Sequence, residues 1–70
     1  MDRYEKTILD HLFKNNLGES YDDIAYQCGV VHTDDYNGRL IVKNTLDRLI
    51  FEKRIIVKKV QERDRYFPIS

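Results

Sequence analysis

The sequence predicts an α+β fold, a bundle of three helices followed by a two-stranded β-hairpin. Three observations carry that expectation. Apolar residues recur at helical spacing in three separate segments. The C-terminal stretch is β-branched and is broken by a polar turn. The length, 70 residues, suits one small domain over 1–70. A chain of this size buries only about 60% of its unfolded surface, so most of its apolar residues must lie inside. At 41% apolar content the chain has enough of them for a compact fold.

Helix one is expected over 3–16. Asp2 followed by Glu5 has the spacing of a capping box. Tyr4, Ile8, Leu9, Leu12 and Phe13 then form one helical stripe. The Asn15-Asn16-Leu17-Gly18 run ends it, with Gly18 suited to a left-handed cap. Leu17-Gly18-Glu19-Ser20 could add a brief extended segment. Ser20 offers the N-cap of a short helix two over 21–28, with Asp23 three residues on. Tyr21, Ile24, Ala25 and Cys28 supply its apolar face, and Gly29 stops it. Residues 30–37 have no period and contain the turn formers Asp34, Asp35 and Asn37, of which the two aspartates can cap the third helix.

Helix three is expected over 37–53, from Val42, Leu46, Leu49 and Ile50 at i, i+4, i+7 and i+8. At about 100° per residue, Leu40 lies well off that stripe and should be partly exposed. The hairpin is expected over 55–69. Ile55 to Val60 forms one strand, Gln61-Glu62-Arg63-Asp64 the turn, and Arg65 to Ile69 the return. Pro68 lacks a backbone donor and belongs at an edge or beyond the ladder. One of Tyr66 and Phe67 should anchor the hairpin on the helices, because an isolated two-stranded hairpin is marginal. Tyr4 and Tyr21 are expected at core edges.

Twelve basic and twelve acidic residues sum to zero, but unevenly. Residues 1–37 hold three basic and eight acidic residues, a net of −5, and residues 38–70 hold nine and four, a net of +5. Such asymmetry can mark a surface for a polyanion. The single cysteine cannot form an internal disulfide, and Cys28 is expected as a small core residue. Cys28 and His32 alone are too few for structural zinc, and the three glycines serve as punctuation and not as a phosphate cradle. No metal, cofactor or catalytic constellation is therefore expected. The opening MDRYEKTILDHLF does not read as a signal peptide and no apolar run is long enough for a membrane span. A soluble cytoplasmic protein is the expectation.

Ala25-x-x-x-Gly29-Val30, with Ile24 and Cys28 around it, resembles the first helix and turn of a helix-turn-helix. Ile41-Val42-Lys43-Asn44-Thr45-Leu46-Asp47-Arg48-Leu49 and Glu52-Lys53-Arg54-Ile55-Ile56 resemble the recognition helix and first wing strand of the winged helix-turn-helix family. The sequence departs from the family at Arg54, where glycine is usual, and in the long His32–Gly38 turn. The resemblance implies a small protein that binds double-stranded DNA, as a transcriptional regulator or a phage- or plasmid-type accessory factor, working as a homodimer or within an assembly. Helix three would enter the major groove through Arg39, Lys43, Asn44 and Arg48, and the wing would meet phosphates through Lys58, Lys59, Arg63 and Arg65. Asp47, on a flank of helix three, would repel phosphate. The alternative is a winged-helix adaptor that binds a protein partner through Leu40 and Ile41 at the start of helix three.

Overall fold

A computed structural model describes residues 3–15, 17–30 and 34–69 of the chain. Its elements are α1 (Arg3–Lys14), α2 (Tyr21–Gln27), α3 (Tyr36–Phe51), β1 (Ile55–Val60) and β2 (Arg63–Pro68). The order is three helices and then an antiparallel hairpin, as the periodicity predicts. Asp2, Asn16 and His32, to which the sequence assigned a cap, part of a helix stop and part of a turn, lie outside the described residues.

Side-chain caps and closing turns bound the second and third helices. Ser20 accepts from the Asp23 amide at 3.2 Å and opens α2. α2 closes in a Schellman motif: Gly29 N–H donates to Tyr26 and Val30 N–H to Ala25, with Gly29 at φ 86°. Asp35 accepts from the Gly38 amide at 3.0 Å, so α3 starts at Tyr36, one residue before the expected boundary. Part of the expected His32–Gly38 turn is therefore the first turn of the helix. α3 ends at Phe51, two residues early, in a second Schellman motif. There Lys53 N–H donates to Ile50 and Arg54 N–H to Leu49. Lys53 takes the left-handed φ of 61°, a conformation that glycine adopts more readily.

The core gathers Ile8, Leu9 and Leu12 from α1, Ile24 and Ala25 from α2, Val30 from the turn that follows α2, Val42, Leu46 and Leu49 from α3, and Ile55 from β1. Tyr4, Tyr21, Cys28, Ile50 and Tyr66 pack around its edge, Cys28 half-buried and not in the centre. Phe13 departs from the expected stripe and is 57% exposed. It stands about 100° around the helix from Leu12, and the buried arc is filled instead by Glu5, three residues before Ile8.

The hairpin closes through two residues, Gln61 and Glu62, at φ 53° and 66°. Arg63 and Asp64, expected in the turn, belong to β2. A right-twisted pair of strands favours a two-residue link with both φ values positive. The register pairs Ile55 with Pro68, Val57 with Tyr66, Lys58 with Arg65 and Lys59 with Asp64. Pro68 thus ends the ladder. On the other side of β2, Glu19 exchanges two backbone hydrogen bonds with Tyr66, at 3.0 and 2.8 Å, so the segment before α2 meets the hairpin in a single antiparallel bridge. Gly18, at φ 87°, makes room for the Phe67 ring: a Cβ there would stand 2.6 Å from its carbons. Tyr66 on the core and Phe67 on Gly18 both anchor the hairpin, where the sequence suggested one ring.

Candidate nucleic-acid interface

α3 buries Gly38, Val42, Thr45, Leu46 and Leu49. With Val42 as zero, the roughly 100° step puts Leu40, Asn44 and Phe51 at about 160°, 200° and 180°, the middle of the outer face. Leu40 and Ile41 are 44% and 45% exposed, as the phase of the helix requires. Tyr36 and Phe51, which the sequence reading passed over, are exposed as well. Phe51 was legible in principle, nine residues and about half a turn of phase from Val42.

The three cations of α3 have different surroundings. The Arg39 guanidinium lies 4.9 Å from the Tyr21 ring centroid and 3.4 Å from Asp22. Tyr21 donates its hydroxyl to the Arg39 carbonyl at 2.7 Å. Burial pushes the Tyr21 hydroxyl above its ordinary pKa, opposed by Arg39 and reinforced by Asp22. Arg48 donates to Glu5 at 2.9 Å and stands 3.6 Å from Glu52. Glu5 is 4% exposed and also meets Arg54 at 3.5 Å, so it is a buried carboxylate whose charge these guanidinium groups compensate. Lys43 is exposed and lines a shallow hollow with Tyr21, Tyr36, Arg39 and Leu40. Asn44 borders a second hollow with Ile41, Thr45 and Arg48.

Alternation along the strands divides the hairpin cations between two faces. Ile55, Val57, Lys59, Asp64, Tyr66 and Pro68 share one face. There Ile55 is buried, Tyr66 packs on the core, and Lys59 has Asp64 directly opposite. Burial pushes the Tyr66 hydroxyl above its ordinary value, helped by the charges of Asp64 and Asp47 and by Tyr21. The other face carries Ile56, Lys58, Val60, Arg63, Arg65 and Phe67, three cations and no carboxylate. Lys58 and Arg65 are direct cross-strand partners. Lys58 sits 5.7 Å from the Phe67 ring centroid, and Arg65 donates to the Gly18 carbonyl at 3.0 Å. The four hairpin residues that the sequence grouped as one cluster are thus three and one.

Glu19, 5% exposed, lies 3.1 Å from His11 and accepts from Asn15. It ties α1 to the segment that pairs with β2. The sequence reading missed both buried carboxylates; the position of Glu5 on the α1 stripe was the available signal. Among the described residues no group of three or more His, Cys, Asp or Glu side chains is placed to hold a metal ion, and no helix is long and apolar enough to cross a membrane. No family model, curated protein or solved structure matches the chain.

Proposed function

We propose that the chain is a winged helix-turn-helix protein that binds double-stranded DNA, with α3 toward the major groove and the hairpin along the phosphates, serving as a small regulator or accessory factor. The observation that carries this reading is the hairpin face with Lys58, Arg63 and Arg65 and no carboxylate. Like charges placed opposite one another across a ladder are unfavourable, and a polyanion relieves that repulsion. Lys43 on α3 and Lys59 on the second hairpin face add exposed cations. The order of three helices and a hairpin is compatible with the family, and the acidic first half holds non-specific affinity down.

Titration of the protein with a mixed-sequence duplex at low and at physiological salt tests the proposal. Affinity should fall steeply with salt, and Lys43→Ala or Arg63→Ala should each lower the slope of log affinity against log salt by about one. Absence of binding at low salt would overturn it. One observation favours a second reading, a protein-binding adaptor: Tyr36, Leu40, Ile41 and Phe51 expose apolar surface along the outer side of α3. That reading predicts a partner whose binding is weakened most by Leu40→Ala and changes little with salt.

A further inference from the structure

Resting on the DNA-binding reading, we infer that α3 is built to recognise A·T base pairs, with Leu40 against a thymine methyl and Asn44 on adenine. The middle of the outer face decides what can touch base edges. Phe51 stands there at the C-terminal end of α3, about 10 Å along the axis from Asn44, and the two side chains of its first turns are Leu40 and Asn44. They are one helical turn apart, about 6 Å along the axis, close to the rise of two stacked base pairs. In the major groove thymine alone among the four bases presents a methyl group, and adenine presents the acceptor and amino pair that an asparagine amide can grip at two points.

Guanine is most often read by arginine or lysine. On α3 the two arginines are drawn to the sides and engaged within the molecule. Arg39 is stacked on Tyr21 and paired with Asp22, and Arg48 is bound to the buried Glu5 at 2.9 Å. Lys43 lies about 100° from Asn44, toward the Tyr21 side, which suits a phosphate better than a base. Asp47 projects from the same exposed side, three residues beyond Asn44. Its carboxylate repels the O6 and N7 acceptors of guanine and accepts equally from the amino group of adenine or cytosine, so it does not by itself choose between the two kinds of pair. The cations of the hairpin supply the complementary charge that holds such a largely uncharged reading surface on a polyanion.

The test compares three duplexes of equal length at one low salt concentration: alternating A·T, alternating G·C, and the A·T duplex with every thymine replaced by uracil, which removes only the methyl groups. The protein should prefer A·T over G·C by about tenfold or more. It should bind the uracil duplex several-fold more weakly than the thymine duplex. Leu40→Ala should abolish the thymine–uracil difference, and Asn44→Ala should shrink the A·T preference while leaving that difference in place. Leu40 is 44% exposed, so its truncation leaves the core intact, which circular dichroism verifies. Equal affinity for A·T and G·C, or a thymine–uracil difference that persists in Leu40→Ala, overturns the inference while the DNA reading stands. Failure to bind any of the three duplexes overturns both.

Discussion

α3 and the hairpin carry comparable numbers of the cations that the sequence singles out, yet the fold treats the two groups differently. Arg39 and Arg48 on α3 meet Asp22 and Glu5, residues of the acidic first half. Lys58, Arg63 and Arg65 share a hairpin face that has no carboxylate. The −5 and +5 halves are therefore not simply two sides of the molecule, because part of the opposite charge is paired across the helix contacts. What a partner meets is the charge left after that pairing, concentrated on the hairpin.

The largest effect that could break this comparison lies beneath the hairpin. Gly18→Ala adds a methyl 2.6 Å from the Phe67 ring at a φ of 87°. Overpacking and the left-handed backbone together should lower stability by about 2–4 kcal/mol in urea denaturation. An unchanged midpoint would mean that Phe67 is not seated there. Gly29→Ala, at φ 86° with no atom within 4 Å of the added methyl, should lose only about 1 kcal/mol by the same measurement.

Next comes Arg48→Ala, which leaves Glu5 with Arg54 at 3.5 Å as its remaining cation among the described residues. It should reduce stability by about 1–2 kcal/mol, because a buried carboxylate loses a charged donor while Arg48 itself is partly screened by water. Its effect on the salt dependence of DNA binding should be small. Arg63→Ala should show the reverse, a stability change within about 0.5 kcal/mol and a salt slope reduced by about one. If both substitutions moved the same observable, the distinction between paired and available cations would fail.

Glu62→Gly should stabilise the protein by about 1 kcal/mol, since it relieves a non-glycine residue at φ 66° in the hairpin turn. Thermal melts of the pair would detect a shift of several degrees for a domain of this size. The smallest effect is alkaline. Tyr66 and Tyr21 both have pKa values raised by folding, so the unfolded chain releases these protons first. Stability from this source is complete below about pH 10, the ordinary tyrosine value, and is lost as pH climbs through the folded values. Tyr66→Phe should flatten that decline relative to the parent chain.

Local features were legible and held their positions. The i, i+3, i+4 stripes apart from Phe13, the Ser20 and Asp35 caps and the Gly29 stop act within a few residues of chain and recur in the structure. By contrast, α1 ends at Lys14, two residues before the expected boundary, and the left-handed Gly18 serves the Phe67 ring and does not close the helix. The exposed outer position of Leu40 followed from helix phase alone. Legibility failed where partners are distant or where the backbone overrides composition. Glu5 looked like an ordinary helix-capping residue, because Arg48, which compensates it, is 43 positions away. Arg63 and Asp64 looked like turn residues on polarity, but the two-residue turn needs only Gln61 and Glu62.

By itself, then, the sequence determined three helices, their inward faces and a strand pair at the end, because periodicity and capping are properties of neighbours along the chain. Tertiary structure alone decided which cations are available. That choice depends on strand register, which sets Lys58 opposite Arg65 and Lys59 opposite Asp64, and on the approach of α1 and α2 to α3. Coulomb attraction falls with distance and is strongest where water is excluded, so only the folded arrangement determines which charges cancel.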